Sequence, residues 1–441
     1  MSENAVDFLV KNLGKREFSA FDLPGLTKMG ISHFFVDDKD RIPLNFSFLE
    51  GQDFDQELAF ERAGAREKLY FNASKTKAGI VTCGGICPGI NDVIRALVMN
   101  LYHLYGVKSI TGFQYGYAGL NPANGLYPIM LEPSIVKDIH TTGGSMLGSS
   151  RGAVDPDIMV ETLRRLRINI LFTIGGDGTQ TGAHLIYEAA QKKGYKLSVI
   201  GVPKTIDNDI NYVHKTFGLD TAVEVGRNAL DCAHTEARGA MNGIGLVKVM
   251  GRDSGYIAAL SALASFNVNY VLVPEVPFDL EGEGALLEHL ENRLRNRGHA
   301  VIVVAEGAGM HLIEDRNTRL KKDKSGNILH SDIGVYLKER IKDYFSQREM
   351  EHTVKYIDPS YTLRSIPANA NDSIFAGTLA HNAVHAAMAG KTDIIVGSWY
   401  NQFVHVPIPL AIKERKKIDP NGVLWMNVLQ ATGMPSNLVA K

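Results

Sequence analysis

Between Ala78 and Gly397, short apolar runs alternate with stretches of helical periodicity, and that alternation leaves few folds open. Residues 78–82, 107–113, 168–174 and 197–202 are short, apolar and bounded by glycine or polar residues, which predicts buried strands. Residues 90–104 and 180–192 carry the helical pattern. Asp155-Pro156 opens another helix, with aspartate at the N-cap and proline at the first helical position. A second block, 217–309, repeats the alternation, with strands at 245–250, 270–273 and 300–305 and helices at 254–265 and 284–297. Helices near 334–345 and at 373–389, and strands near 353–357 and at 393–397, follow. Such alternation predicts an α/β protein whose mostly parallel sheets are covered by helices on both faces. Two blocks without a low-complexity linker predict two Rossmann-like lobes around a central cleft. The expected division is an N-terminal extension over 1–77, a first lobe over 78–240, a second over 241–400 and a C-terminal segment over 401–441, with the chain free to cross between lobes.

The extension reads differently from the rest. Residues 46–49 alternate weakly, 57–68 are charged and helix-like, and no chemistry is identifiable there. Residues 312–327, rich in charge and turn formers, read as a surface excursion. The totals are those of a soluble globular protein: 45% hydrophobic, 22% charged, and no run long enough to span a bilayer. A net charge of −1 gives no electrostatic reason for a nucleic-acid partner. Three cysteines, Cys83, Cys87 and Cys232, suit a reducing compartment better than a disulfide framework. Residues 1–11 lack a secretory pattern, so a cytoplasmic setting is expected.

Three loops follow predicted strands, where ligands sit in open α/β sheets. In Thr173-Ile174-Gly175-Gly176-Asp177-Gly178-Thr179 the glycines let backbone approach a ligand, and the helix N-terminus behind them favours anions. Asp177 would repel a bare phosphate, so Mg²⁺ is the natural bridge between the two. One reading is a polyphosphate–Mg²⁺ site; the other is a strand-to-helix turn with a capping aspartate. Cys83-Gly84-Gly85-Ile86-Cys87-Pro88-Gly89-Ile90-Asn91 also lies between strand and helix, but fits neither the dinucleotide nor the Walker pattern. Cys83 and Cys87 lack the second cysteine pair or clustered histidines that zinc needs. Ala389-Gly390-Lys391-Thr392 ends like a Walker loop, yet His385 stands where the first glycine belongs. In Pro203-Lys204-Thr205-Ile206-Asp207-Asn208-Asp209, the two aspartates share one side if the backbone is extended. One could take a proton from an alcohol while the other fixes Lys, Thr or metal. Turn and capping chemistry explains the same residues. Arg151, among small residues, and Arg252, at a strand end, could stabilise a transferring phosphoryl group. Surface ion pairing is their plain alternative.

With Gly85, the 175–179 loop, the 205–209 loop and Met250-Gly251-Arg252 in this order, the chain closely resembles the phosphofructokinase family over about 78–409. The resemblance implies Mg²⁺-assisted phosphoryl transfer to the 1-hydroxyl of fructose 6-phosphate, a step in glycolysis. It also implies an allosteric homotetramer or homodimer, with the donor in the first lobe and the sugar phosphate in the second. Asp207 is then the general base, with Thr205 and Ile206 lining the sugar site beside it; Thr205, Asp207 and Arg252 form the catalytic set. Asp177 is implied to hold Mg²⁺, and Gly85, Arg151, Gly152, Gly176, Asp177, Gly178 and Thr179 to contact the donor. Met250, Gly251 and Arg252 would meet sugar and transferring phosphate, and Glu306 the sugar hydroxyls. Tyr361, Thr362, Leu363 and Arg364 would grip the 6-phosphate. Glu306 also fits a strand-end cap, and Tyr361 a packed aromatic. The short bacterial members carry an arginine where Asn242-Gly243 stands, reaching a neighbour's sugar phosphate; Lys355 could supply a similar charge. The extension and the excursion are similar to the longer branch found in plants, protists and some bacteria.

Two positions bear on the donor. Pyrophosphate-using members resemble this chain at Lys204, but carry aspartate where this chain has Gly178. That carboxylate would crowd and repel the α-phosphate of ATP, whereas Gly178 leaves the way open. ATP is therefore expected, with pyrophosphate the alternative. A non-catalytic nucleotide-binding regulatory subunit would be expected to lose Asp177 or Asp207, and both are present. Another kinase, acting on NAD or a lipid, explains 175–179 but not 205–209, Glu306 or 361–364.

Overall fold

The computed structural model describes residues 5–28, 30, 34–47, 58–313 and 331–441. Two compact units emerge: 1–205 with 210–218 and 366–415, and 206–209 with 219–365 and 416–441. The chain thus passes into the second unit between Thr205 and Ile206, returns for 210–218, and crosses again after 218, 365 and 415.

The first unit is built on a nine-stranded mixed sheet. Its order is Arg41–Pro43, Ala59–Arg62, Gln402–Pro407, Ile394–Trp399, Ser198–Pro203, Ile170–Gly175, Lys77–Thr82, Ser109–Phe113 and Ile129–Met130. The five strands from Ile394–Trp399 to Ser109–Phe113 run parallel, and antiparallel strands finish both edges. Every residue of Ile170–Gly175 and Ser198–Pro203 is buried, as central parallel strands require. Helix Ile90–Met99 packs with Ala370–Met388, and Pro156–Leu166 with Asp177–Lys192. Asp155 caps its helix as the sequence predicts, accepting from the Asp157 N–H at 2.8 Å.

The second unit holds a four-stranded parallel sheet in the order Tyr270–Leu272, His299–Ala305, Gly243–Val249 and Thr353–Ile357. Helices Leu219–Arg238 and Tyr256–Ser265 pack together, Val423–Thr432 joins the latter, and Ile333–Gln347 covers the Gly243–Val249 and Thr353–Ile357 strands.

Several expectations are revised. Residues 59–62 are strand, not part of a charged helix, because Ala59–Arg62 finds a partner in Gln402–Pro407, with Glu61 opposite His405. The extension is therefore an edge of the first unit's sheet. It is held there by buried charge: Lys391 Nζ stands 2.7 Å from Glu61, and Arg66 3.0 Å from the same carboxylate. Lys391 of the Walker-like tetrapeptide is thus a structural ion-pair lysine, 1% exposed. The 20-residue helix Leu219–Arg238 lies in the second unit. Residues past 397 continue the order with Gln402–Pro407 and Val423–Thr432. The helix expected over 90–104 is α-helical to Met99 and then a π-turn over Asn100–Leu104. Most of the expected 312–327 excursion lies outside the described residues, as do residues 48–57 of the extension.

Candidate active site

In the first unit the loops of interest leave the carboxyl ends of neighbouring parallel strands: Val81 pairs with Thr173, and Gly175 with Pro203. Strand Ile170–Gly175 enters helix Asp177–Lys192 through Gly176, an N-cap without a side-chain cap bond. Glycine has no side chain with which to cap the first N–H groups of that helix. Gln180 Nε2 and the Lys204 N–H both donate to the Gly175 carbonyl at 3.0 Å, fixing the turn. The Thr179 carbonyl accepts from Tyr117 Oη at 2.6 Å. Gly178 is exposed, and a Cβ added there would meet no heavy atom within 4 Å.

Lys204, 5% exposed, donates from Nζ to the Gly85 carbonyl at 2.7 Å. The Gly84 N–H donates to Ser150 O at 3.0 Å, and Ser149 Oγ to Gly84 O at 2.6 Å. These bonds deliver the exposed Arg151 and Gly152 beside the Gly85 loop. Gly85, Arg151, Gly152, Gly176, Asp177, Gly178, Thr179 and Lys204 are thus gathered at one end of the first unit's sheet. Thr205 closes this half, its carbonyl accepting from Thr216 Oγ1 at 2.7 Å. Asp177 Oδ2 lies 3.7 Å from Arg415 Nε. Cys83 and Cys87 are buried thiols: burial pushes Cys83 up to about 12, and Cys87 Sγ donates to Phe217 O at 3.2 Å.

In the second unit, Asp207 stands with Arg252 and Glu306. The Glu306 N–H donates to Val249 O at 2.9 Å and the Gly307 N–H to Gly251 O at 3.0 Å, so the two strand ends are stitched together. Gly251 takes φ +131°, where a side chain would be strained and its Cβ would come 2.5 Å from Ser254 O. Ser254 Oγ donates to Asp207 O at 2.6 Å, fixing the aspartate loop to the same strand end. Burial pushes the Asp207 carboxyl up to about 8; Asp209 and Glu306 push the same way, Arg252 pulls it down, and Asp253 adds a smaller push. Ile206 is buried beside it, and Met250 is half-buried.

Tyr361 and Arg364 follow the edge strand Thr353–Ile357. Tyr361 is 77% exposed, with the Arg364 guanidinium 5.4 Å from its ring centre. Thr362 is exposed. Leu363 differs from them: it is fully buried, against Gly226 of helix Leu219–Arg238, so its side chain anchors the turn. Lys355 is not brought to this end of the unit. It pairs with Gly245, four residues short of Val249, or about 13 Å along a strand. Its ammonium lies 3.6 Å from Glu236.

Sequence reasoning missed Arg415 and Lys416. The Lys416 N–H donates to Asp209 O at 3.0 Å, and burial pulls its ammonium down to about 7 while Asp209 supports the charge. Both stand in the charged run 413–417, which looks like a solvated tail and carries no motif. Asp253 was legible as the neighbour of Arg252, but only packing makes it act on Asp207. Among the described residues, no three His, Cys, Asp or Glu side chains gather into a group that could hold a metal unaided. No helix among them is long and apolar enough to cross a membrane.

The phosphofructokinase family model matches residues 77–387. An ATP-dependent 6-phosphofructokinase of Borreliella burgdorferi is 48% identical over 98% of both chains. One of Amycolatopsis methanolica is 43% identical over 98% of this chain and 96% of its own. One of Trypanosoma brucei brucei is 47% identical over 85% of this chain and 76% of its own. In fold, the chain is similar to a pyrophosphate-dependent phosphofructokinase from Marinobacter aquaeolei, with TM-score 0.67 and 22% identity over 81% of this chain and 91% of that one. It is also similar to Pichia pastoris phosphofructokinase, with TM-score 0.61 and 20% identity over 88% of this chain and 39% of that one. At those identities the solved structures speak for the fold alone. A family match over most of the chain, near-full-length relatives at more than 40% identity and a shared fold lead to one conclusion: the chain belongs to the phosphofructokinase family.

Proposed function

We propose that the protein is an ATP-dependent 6-phosphofructokinase, transferring the γ-phosphoryl group of ATP to the 1-hydroxyl of fructose 6-phosphate and releasing fructose 1,6-bisphosphate and ADP. The observation that carries this reading is Asp207, a carboxyl raised to about 8 beside Arg252 and Glu306, only three residues along the chain from the donor-side Lys204. A base with that value can take a proton from an alcohol near neutral pH without being fully ionised beforehand. Asp207 accepts the proton of the 1-hydroxyl as the sugar oxygen bonds to the γ-phosphorus and the bond to the ADP oxygen breaks. Arg252, fixed at its strand end, meets the negative charge that builds on the phosphoryl oxygens. Arg151 does so from the donor loop.

The helix N-terminus at Gly176, the open position at Gly178 and the backbone of Gly85 suit the phosphates of ATP. The donor set fits Mg²⁺. That ion keeps much of its water and shares phosphate oxygens, so one half-exposed carboxylate, Asp177, is enough protein for it. Bound there, Mg²⁺ would neutralise phosphate charge. Glu306 holds sugar hydroxyls, and Tyr361, Thr362 and Arg364 the 6-phosphate.

The relatives named above as ATP-dependent support ATP over pyrophosphate, as does the empty space at Gly178. A homotetramer or homodimer in the cytoplasm completes the proposal; light scattering checks the assembly. The deciding experiment is a coupled assay with fructose 6-phosphate and either ATP or pyrophosphate, with and without Mg²⁺. Turnover with ATP and Mg²⁺ only is expected. Turnover with pyrophosphate alone would overturn the donor assignment, and none with either would overturn the reaction.

A further inference from the structure

Lys248 is not part of the machinery described above, yet its ammonium joins two carboxylates of the second unit. It lies on strand Gly243–Val249, two residues before Met250, with its side chain 12% exposed. Its ammonium donates to Asp332 Oδ2 at 2.7 Å and stands 2.8 Å from Asp358 Oδ2. Each carboxylate is already committed on its other oxygen. Asp332 Oδ1 caps helix Ile333–Gln347, accepting from the Gly334 N–H at 2.9 Å and the Val335 N–H at 3.1 Å, with Tyr356 Oη at 3.4 Å. Asp358 Oδ1 accepts from the Ser360 N–H at 3.0 Å and from Ser360 Oγ, closing the turn that leads into Tyr361 and Arg364.

We propose that Lys248 is a positioning residue for sugar-phosphate binding: it locks the Asp358 turn to the Asp332 helix cap and so sets where Tyr361 and Arg364 stand. This rests on the reading of 361–364 as the sugar-phosphate segment. Three features carry it. The lysine bridges two carboxylates that would otherwise face one another with like charge, so its removal does not merely loosen the turn but drives it outward. Leu363, packed near Gly226, holds the underside of the turn, and Lys248 holds its Asp358 end. The strand that carries Lys248 ends in Met250-Gly251-Arg252, so one element sets both the transferring-phosphate side and the 6-phosphate side. The charges are mutually supporting: Asp332 and Asp358 are held below the usual carboxylate range and Lys248 above the usual ammonium range.

The test is steady-state kinetics and calorimetric fructose 6-phosphate binding on full-length Lys248→Met, Lys248→Arg, Asp358→Asn and Arg364→Met. Lys248→Met is expected to raise the sugar-phosphate KM and Kd about tenfold or more, with kcat at saturating sugar within about threefold and the ATP KM unchanged. Lys248→Arg should recover most of the affinity, since a guanidinium can still bridge two carboxylates. Asp358→Asn should reproduce the loss, and serves if Lys248→Met does not fold. A sugar-phosphate KM within twofold of the parent in Lys248→Met or Asp358→Asn, with a raised KM in Arg364→Met, overturns the role of Lys248 alone. An unchanged KM in Arg364→Met overturns the placement of the segment, and this inference with it.

Discussion

The donor segment around Gly178 and the acceptor cluster around Asp207 treat charge in opposite ways. The donor segment has an uncrowded helix N-terminus, one half-exposed carboxylate in Asp177 and a position open to solvent. In the proposed function its selectivity comes from what is missing, a side chain at residue 178. The acceptor cluster is crowded: burial first, then Asp209, Glu306 and Asp253, raise the Asp207 carboxyl, and Arg252 only partly offsets them. In the proposed function its reactivity comes from what is present and held in place, through Ser254, Gly251 and Gly307. Chemistry that must admit a bulky polyanion favours space and backbone dipoles, whereas chemistry that must remove a proton favours burial and like charge.

The largest break in that contrast should come from Gly178→Asp. The added side chain meets no neighbour, so the melting temperature should stay within a degree or two of the parent, while turnover with ATP is abolished. ATP turnover at the parental rate would sink the exclusion argument. Asp207→Ser comes next. It should lower kcat by about 10²–10⁴ with a modest change in sugar KM, because a base is lost and the binding groups remain. Near-normal kcat would remove Asp207 from its role.

The third test separates the two regions by pH. With Asp207 near 8 in the free protein, kcat/KM for the sugar phosphate should climb from pH 6 to about 8.5 and then level, and the acid limb should vanish from the residual kcat/KM of Asp207→Ser. The same group also marks stability. The folded protein keeps a proton on Asp207 that the unfolded chain releases near pH 4. The stability tied to that proton is full below about pH 4 and is lost as pH rises toward 8. Asp207→Asn should therefore melt higher than the parent at pH 8.5 and close to it at pH 4; equal differences at both pH values would contradict the raised carboxyl. The smallest effect is expected from Lys204→Met, which removes the bond to Gly85 O and should raise the ATP KM by less than about tenfold, leaving sugar KM alone. A collapse of kcat in that variant would move Lys204 from the loop's support to the reacting phosphate.

Much of this was legible along the chain because the loops are local. The Gly175–Thr179 turn, its helix and the Asp155-Pro156 cap are written in contiguous residues, and so is the 203–209 loop that holds donor and acceptor residues within a few peptide units. The burial of the Leu363 side chain was not legible, because it depends on helix Leu219–Arg238 being placed beneath the turn. Residues 59–62 read as part of a charged helix because their partner strand lies more than 300 residues away.

By itself, then, the sequence determined the α/β class, the order of the glycine, acid and cation loops, and the side-chain-free position at 178 on which the proposed choice of donor rests. These depend on periodicity and on backbone that only glycine allows. The tertiary structure decided that the extension is a sheet edge, that the chain crosses between units at 205–206 and 415–416, that Arg415 and Lys416 reach Asp177 and Asp209, and that Lys248 joins two distant aspartates. Those outcomes depend on burial and on charges brought together from far along the chain, and neither has a local signature.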